Sequence, residues 1–256
     1  MAIDVSAKWD EIIVSEPHWF ETRVIIDGVT YQQSQIMSLS IEYRAFSEEQ
    51  PTVGSCLSAE LTLKMLKPSA TIPRMALIRP QVRVCNGTGV AHQSEWIPQG
   101  YYYIDTREES KNDDNLPVIS FHAYDSMLKS EQMFPSTQGG WPRTDINTVK
   151  LIAYYMGLQS SANSTAGIDQ RTLDLMTSGY SISAPISYTM RETLGNIAAM
   201  YAGNWVVSME NKLLLIPING IPEETSLLVD ESGNIIIWGD DPDTGEELAI
   251  SIVGTE

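Results

Sequence analysis

The chain has few of the residue types on which catalytic and metal sites depend. It contains three histidines, His18, His92 and His122, and two cysteines, Cys56 and Cys85. The histidines are far apart, and none has a cysteine or a second histidine close to it in the sequence, which argues against a zinc site. Two cysteines allow one bridge but no disulfide framework, so the sequence is typical of a protein that folds in a reducing compartment.

Common catalytic motifs are absent. There is no His-Glu-x-x-His, no Gly-x-Ser-x-Gly, no P-loop and no dinucleotide-binding fingerprint. The pair nearest to a general base with an orienting carboxylate is His122 with Asp125, but its position between a strand and a helix favours a structural histidine. Cys56 and Cys85 lie on or beside strand patterns without basic neighbours, which favours buried, unreactive thiols. We therefore predict that the protein is not an enzyme and has no catalytic, cofactor-binding or metal-binding residues.

Positive charge and long apolar runs are also scarce. The chain has 16 Lys and Arg against 33 Asp and Glu, a net charge of −17, which repels nucleic acids and anionic membranes. Solubility is the simplest reason for this acidity, although a surface past which DNA slides is compatible with it. No apolar run approaches the roughly 18 residues that span a bilayer. The first residues lack the basic and apolar regions of a signal peptide, so we expect synthesis and folding in the cytoplasm.

The first half of the chain has the alternation of apolar and polar residues that is typical of β-strands. Asp27-Gly28 between two β-rich runs predicts a hairpin with a type I′ turn, because both central residues of that turn have positive φ. Residues 36–43 and 58–65 also alternate. The inner face of the second stretch is formed by Leu61, Leu63 and Met65. A second hairpin is predicted between residues 96–105 and 118–122, with its turn in the polar stretch 108–115.

Three helices are predicted in the middle of the chain, at residues 124–130, 145–156 and 189–202. Gly157 closes the second helix, and Gly203 is predicted to be the left-handed C-cap of the third. Thr189 and Glu192 form a capping box, in which each side chain satisfies a backbone N–H group. The polar stretch 159–167 between the two longer helices predicts a flexible loop.

The two longer helices resemble each other in sequence. The first set of matching positions is Thr144, Thr148, Val149, Ile152, Ala153 and Gly157, and the second is Thr189, Thr193, Leu194, Ile197, Ala198 and Gly203. Either an internal duplication or the convergence of two capped amphipathic helices explains the match.

The last quarter of the chain returns to strand patterns. Strands are predicted at residues 205–209, 212–216, 226–229, 235–238 and 248–253, with a turn at 232–234. The acidic stretch 240–247 offers oxygen ligands and a glycine turn that suit calcium. Its spacing departs from that of an EF-hand, which favours a solvated loop.

Two further groups of residues offer alternative functions. A glycosidase-like carboxylate pair could be drawn from Asp105, Glu108, Asp113 and Asp114, but carboxylates are abundant and no aromatic cleft is indicated. Aromatic side chains that could stack on sugar rings are Trp96, Tyr101, Tyr102, Tyr103 and Trp141. Aromatic residues in strands more often belong to cores or interfaces.

Several stretches together resemble a known family. They are Val53 to Leu63, Ile72 to Ala76, Arg79 to Arg83, Glu95 to Arg107, Phe121 to Leu128, Tyr188 to Ala198, and Gly203-Asn204-Trp205. The chain resembles, over about residues 10–218, the tail-tip or baseplate hub proteins of phages and prophages of Gram-positive bacteria. None of these stretches is a catalytic motif.

The resemblance implies a fold and an assembly. Hub proteins of this class form a homotrimeric ring that continues the tail tube, and each subunit contributes two similar β-barrel domains. We accordingly predict a mainly β fold with α+β elements, formed by two tube-type barrel or sandwich domains with short packed helices. The first, barrel-like domain spans residues 1–135. The second, α+β domain spans 136–256, with helices near 145–157 and 189–203.

The resemblance also implies partners. These are further copies of the chain, the tail tube and distal tail proteins, and spike or fibre proteins. DNA only passes through the negatively charged lumen during genome ejection. The expected location is the virion tail tip, after assembly in the host cytoplasm. Hubs of this class are usually longer, so we expect no downstream lytic activity here. The alternatives are a receptor- or carbohydrate-binding tail module and, less favoured, a tail-associated cell-wall hydrolase.

Overall fold

The computed structural model describes residues 5–44, 52–112, 114–135 and 139–218, together with the backbone of strands at 235–240 and 247–252. The chain forms two compact units, residues 1–218 and residues 219–256. The helices of the first unit are α1 (Ala7–Ile13), α2 (Asp145–Tyr155), α3 (Gln170–Leu175) and α4 (Met190–Met200). Its strands are β1 (Trp19–Ile26), β2 (Val29–Gln32), β3 (Ile36–Glu42), β4 (Glu60–Leu66), β5 (Leu77–Cys85), β6 (Ile97–Pro98), β7 (Tyr102–Lys111), β8 (Pro117–Asp125), β9 (Arg143–Thr144), β10 (Ser181–Ile182), β11 (Gly203–Val207) and β12 (Leu213–Pro217). The predicted mainly β fold is confirmed.

An eight-stranded sheet dominates the first unit. Its strand order is β2-β1-β5-β7-β8-β4-β3, and β6 pairs with β5. Every pairing is antiparallel. The hairpin at Asp27-Gly28 is confirmed: Ile26 pairs with Val29, and both turn residues have positive φ, 48° and 86°.

The two ends of this sheet are consecutive parts of the chain. Only a 3-10 turn, Gln33–Gln35, separates β2 from β3. Since six antiparallel pairings lie between the terminal strands, β2 and β3 run in the same direction. Strands β2 and β3 therefore form one kinked strand, which lies at both ends of the sheet, and the sheet curls round to meet itself. This is the corner geometry of barrel-like folds. A bulge at Met37, where the β3–β4 register shifts, accompanies the kink.

The inner face of the sheet encloses the first hydrophobic core, the sheet cluster. Its buried members are Val24, Ile26, Tyr31, Ala59, Leu61, Leu63, Met65, Ile72, Ala76, Ile78, Tyr102, Ile104, Ile119, Phe121 and Ala123. The predicted inward positions of β4, Leu61, Leu63 and Met65, are fully buried. The apolar residues that alternate along the strands thus form a single apolar face on the inside of the sheet.

The second hydrophobic core, the helical cluster, is built from shorter pieces. Its buried members are Cys56, Met127, Phe134, Val149, Leu151, Ile152, Ala153, Met156, Ile168, Met176, Met190, Leu194, Ile197, Ala198, Trp205, Val207, Leu213 and Leu215. The strands predicted at 205–209 and 212–216 are present as β11 and β12, which pair antiparallel as a hairpin. Residues on both sides extend this hairpin by parallel bridges, Cys56 to Trp205 and Ile168 to Leu213.

Both predicted long helices are present, and their first turns are alike. Thr144 and Thr189 are the N-caps of α2 and α4, and the capping box of Thr189 with Glu192 is confirmed. Four residues on, the Thr148 and Thr193 hydroxyls donate to the carbonyl oxygens of their N-caps, at 3.0 and 2.9 Å. The likeness of the helices thus extends to their hydrogen bonds.

Several boundaries differ from the prediction. Strand β7 continues to Lys111, so the hairpin turn is shorter than the predicted 108–115. The helix predicted at 124–130 is a 3-10 turn, Ser126–Glu131, capped by Asp125. Gly203 does not cap α4: it begins β11, and Ala202 takes the left-handed conformation, with φ 48°.

The second unit is described by two antiparallel strands, β13 (Ile235–Asp240) and β14 (Glu247–Ile252), with Ile235 opposite Ile252. The strand predicted at 226–229 and the turn at 232–234 lie outside the described residues. The predicted domain boundary at residue 135 falls within the first unit and remains a prediction.

Candidate functional site

Open strand edges are the main candidate surface of the first unit. Among the described residues, β2 pairs only with β1 and β3 pairs only with β4. Each half of the kinked strand therefore leaves one row of backbone groups without a strand partner. Both halves expose an apolar side chain, since Val29 is 52% and Met37 is 44% exposed. Unpaired edges with apolar side chains are suited to pairing with another chain.

A third open edge runs along the outer part of β7. Only Tyr102 and Tyr103 of this strand pair with β5, and the seven residues 105–111 are all exposed. Among the described residues, the last backbone–backbone hydrogen bond of this edge is donated by the Ile104 N–H group to the Ala76 carbonyl, at 3.2 Å. Farther along, the Arg107 side chain donates to the Ile72 carbonyl at 2.7 Å. A bulge at Asp105 lies just beyond the point where β7 stops pairing with β5, and β7 stays paired with β8 as far as Lys111.

His122 and Asp125 do not form a catalytic pair. His122 lies 3.3 Å from Glu60 and packs edge-on against Tyr124. The Asp125 carboxylate accepts hydrogen bonds from the N–H groups of Ala59 at 2.8 Å and Met127 at 2.9 Å. His122 and Asp125 thus contact different residues, which agrees with the predicted structural role of His122.

Asp125 lies where β8 passes from one hydrophobic cluster to the other. Its side chain is buried, and burial raises its pKa from 3.8 to about 7, against the opposing effect of its two backbone hydrogen bonds and of Arg191. Arg191 also donates to the Cys56 carbonyl and forms an ion pair with Glu131 at 2.7 Å. These contacts tie β8, α4 and the chain before β4 together.

Both cysteines are buried, as predicted, and both are free, which settles the bridge that the sequence left open. Burial raises the pKa of the Cys56 thiol to about 12 and also raises that of Cys85. A thiol that stays protonated is a poor nucleophile. Neither residue therefore offers a reactive site.

Of the two carboxylates of the glycosidase hypothesis that lie on β7, Asp105 lines a cavity of about 530 Å³ and Glu108 is not part of its lining. Asp105 is at the bulge and Glu108 is opposite Ser120, both exposed along the open edge. Asp114 is exposed in the hairpin turn, and Asp113 lies outside the described residues. The arrangement does not resemble two carboxylates facing a substrate across a groove.

The five aromatic residues do not form one platform. Tyr102 is buried in the sheet cluster and donates to the Gln99 carbonyl at 2.9 Å. Tyr103 packs under Lys129, and Trp141 contacts Phe134 and Arg143. Trp96 lies against the guanidinium groups of Arg23 and Arg83, 4.3 and 4.4 Å from its ring centre.

Trp96 does share a groove with other side chains on the outer face of β1. The groove has a volume of about 390 Å³. It is lined by Trp19, Glu21, Thr22, Gln32, Gln33, Ser34 and Trp96. The sequence alone does not bring these residues together. Trp96 precedes β6, which pairs with β5, and β5 in turn pairs with β1.

Within the described residues, no group of three or more His, Cys, Asp or Glu could hold a metal ion. The same residues include no helix with the length and hydropathy of a membrane span. Most of the acidic stretch proposed as a calcium loop lies outside them.

No family model and no curated protein matches the chain. Among solved structures, the chain is similar to the tail protein from Neisseria meningitidis MC58, with a TM-score of 0.44 and 13% sequence identity. The alignment covers 91% of this chain and 66% of that protein, so the chain spans just under two thirds of its length. At this distance no role is transferred from one protein to the other.

Proposed function

We propose that the protein is a structural, non-catalytic component of a phage tail tip or baseplate, from a phage or prophage of a Gram-positive host. In this role it forms a homotrimeric hub ring in the virion, which continues the tail tube and attaches the distal spike or fibre proteins. DNA passes through the lumen of the ring during genome ejection.

The observation that carries the proposal is the pair of open strand edges at β2 and β3, where the two ends of the curled sheet meet. A fully closed barrel has no strand edges, whereas this sheet leaves one edge of β2 and a different edge of β3 without a strand partner among the described residues. Contacts between two different surfaces of identical chains are head-to-tail, and they close into a ring when the rotation permits. The apolar side chains of Val29 and Met37 at the two edges support such pairing.

The charge of the chain supports the same role. A net charge of −17 repels the phosphate backbone. A channel lined by such a surface lets DNA move without being held.

A carbohydrate-binding tail module is the second candidate, favoured by the groove between Trp19 and Trp96. Indole rings stack on sugar rings, and the hydroxyl, amide and carboxylate groups of Thr22, Gln32 and Glu21 can bond to sugar hydroxyls. Titration with cell-wall oligosaccharides, followed by tryptophan fluorescence, tests this candidate. A response that Trp96→Ala removes would support it.

The hub proposal is tested by the mass of the purified protein in solution, measured by light scattering over a concentration series, and by electron micrographs of the particles. We expect trimers with a central hole. Met37→Lys and Val29→Lys place a charge at each open edge and are expected to prevent assembly.

Val90→Lys is the matched control, because Val90 is 83% exposed and belongs to the 3-10 turn Val90–His92 between β5 and β6, not to β2 or β3. This variant should assemble like the unmodified protein. A monomer at every concentration, without rings in the micrographs, would contradict the proposal, as would equal effects of all three substitutions.

A further inference from the structure

The outward face of strands β1 and β5 carries three arginines. Val24 and Ile78 are fully buried on the inner side of the sheet, so the odd-numbered residues of these two strands point outward. They include Arg23, Arg79 and Arg83, each partly exposed. This face is thus rich in positive charge, although the chain as a whole carries a net charge of −17.

The three arginines follow one another along the strands. In the antiparallel register of β1 with β5, Arg23 lies opposite Gln81, midway between Arg79 and Arg83. Successive outward positions of a strand are about 7 Å apart. The guanidinium-bearing positions therefore form a row with a step of that length.

A lysine continues the row at its far end. Tyr103 of β7 lies opposite Leu77 of β5, the next outward position after Arg79. The ammonium group of Lys129 lies over the Tyr103 ring, 4.0 Å from its centre. Arg83, Arg23, Arg79 and Lys129 are called the cationic row below.

Most of the cationic row has no counter-ion in the part of the chain that the structure describes. Glu21 accepts a hydrogen bond from Arg83 Nε at 2.9 Å and neutralises it. Arg23, Arg79 and Lys129 form no ion pair with any of the described residues. Burial and the neighbouring Arg83 lower the pKa of the Arg23 guanidinium, which nevertheless stays charged at neutral pH.

Arg23 keeps hydrogen-bond donors for an anion. Its Nε donates to Gln81 at 2.6 Å, which leaves the four N–H groups on the Nη atoms. Two parallel N–H groups of a guanidinium match the two oxygens of a carboxylate or phosphate.

The cationic row begins at the groove of about 390 Å³ beside β1. Trp96 lines this groove and lies against both Arg23 and Arg83, and Glu21, the ion-pair partner of Arg83, lines it too. Trp19, which is 40% exposed, is the indole of the groove that a sugar ring can reach. A groove suited to a sugar and a row suited to anions thus form one continuous surface.

We propose that this surface binds a linear saccharide that carries carboxylate or phosphate groups. One sugar ring occupies the groove, and anionic groups farther along the saccharide bind the cationic row. The inference rests on the carbohydrate-binding candidate of the proposed function, and it adds the chemical class of the ligand. Charges repeated along a row suit a polymer better than a single anion.

A single strand of nucleic acid fits this surface less well. Its bases bind by stacking on open aromatic rings, whereas cations already lie against the rings of Trp96 and Tyr103. The net charge of −17 also repels a chain of phosphates.

Isothermal titration with charged and neutral forms of the same saccharide tests the inference. The probes are oligogalacturonate with its methyl ester, and a phosphomannan oligosaccharide with its dephosphorylated form. At least one charged form should bind about tenfold more tightly than its neutral form, and added salt should reduce this preference. Equal binding within both pairs would overturn the inference, as would tighter binding of oligothymidylate than of either charged saccharide.

A substitution in the cationic row tests where the charge is recognised. Arg79→Gln removes one cation from a position two residues from the arginines that hold Trp96, and it should lower the preference for the charged form about threefold. Lys150→Gln removes one cation from helix α2 and is the control, which should keep the preference. Equal losses in the two variants would show a general effect of net charge and would overturn the inference.

The same titrations separate this inference from the candidate on which it rests. If no saccharide binds in either form, the carbohydrate-binding candidate and this inference both fail. If charged and neutral forms bind equally and Trp96→Ala abolishes both, the candidate stands and this inference alone fails. The hub proposal is tested separately by assembly.

Discussion

The two hydrophobic clusters of residues 1–218 are built in different ways. The sheet cluster is formed by alternate side chains of long strands, whose ladders already satisfy the backbone. The helical cluster joins a 3-10 turn, helices and a short hairpin from positions between Cys56 and Leu215. Its pieces are connected by short runs of backbone hydrogen bonds. In one of them the N–H groups of Gly54, Trp205 and Leu57 donate to the carbonyls of Gly203, Ser55 and Trp205, at 2.9, 2.8 and 2.7 Å.

This difference predicts which substitutions each cluster can tolerate. The sheet cluster depends on filled volume, because its hydrogen bonds do not rely on particular side chains. The helical cluster depends on close approach and on capping groups, because short pieces satisfy few of their own backbone groups. Variants of each kind can therefore test the comparison.

Leu63→Ala is expected to have the largest effect. The side chain is fully buried in the sheet cluster, and removing it should lower the free energy of unfolding by about 2–5 kcal/mol. Because the chain before β4 pairs with β11, we expect amides of both β8 and α4 to lose protection in hydrogen exchange. Unchanged protection of α4 would show that the clusters unfold independently.

Gly195→Ala should break the helical cluster by adding one methyl group. A Cβ atom at position 195 would lie 2.5 Å from the Gly54 carbonyl oxygen, so α4 and the chain beside it must separate. We expect a loss of about 1–3 kcal/mol in chemical denaturation. Gly139→Ala is the control, since nothing lies within 4 Å of its added Cβ atom.

Asp125→Asn tests the junction of the clusters. The amide can accept one of the two backbone hydrogen bonds but points its NH₂ group at the other donor. Leaving a buried donor without an acceptor should cost about 1–3 kcal/mol. A variant as stable as the unmodified protein would show that the two contacts of Asp125 contribute nothing.

The pH dependence of this variant sharpens the test. Since the pKa of Asp125 is raised from 3.8 to about 7, the folded protein holds the proton more tightly than the unfolded chain. This contribution to stability is full below pH 4 and is lost as the pH rises towards 7. The stability difference between the protein and Asp125→Asn should therefore shrink from pH 4 to pH 7. A growing difference would contradict the assignment.

The smallest effects are expected at the helix N-caps. Thr189→Ala removes a capping box and should cost about 1 kcal/mol. Thr144→Ala removes a single cap, whose hydroxyl accepts from Asn147 N–H at a longer 3.4 Å, and should cost less. Thermal unfolding of the two variants measures the difference, and the reverse order would contradict this reading of the caps.

The sheet cluster could largely be predicted from sequence, whereas the open edges could not. Alternation located β3 and β4, and Asp27-Gly28 located the first turn, because both signals are local. Strand β7 was cut short in the prediction, since its outer residues are polar on both faces and show no period of two. Pairing partners are set by tertiary structure, so no local signal marks which edges remain open.

The helical cluster was predicted only in its helices. Capping residues identified α2 and α4 because they act within a few residues. The bridge between Cys56 and Trp205 joins distant positions without any pattern, and Gly203 was assigned to the wrong role because β11 begins directly after α4. Helix α3 was missed, although Asp169 caps it by accepting from Arg171 N–H at 3.1 Å.

The bridge beside β11 also sets an order of events during synthesis. Ser55 and its partner Asn204 are 149 residues apart. At ordinary translation rates of about 5–20 residues per second, the ribosome needs roughly 7–30 s to synthesise the chain between them. During that interval the segment before β4 has been synthesised, but β11, the strand with which it pairs, has not. Completion of the helical cluster must therefore wait until almost all of the first unit has left the ribosome.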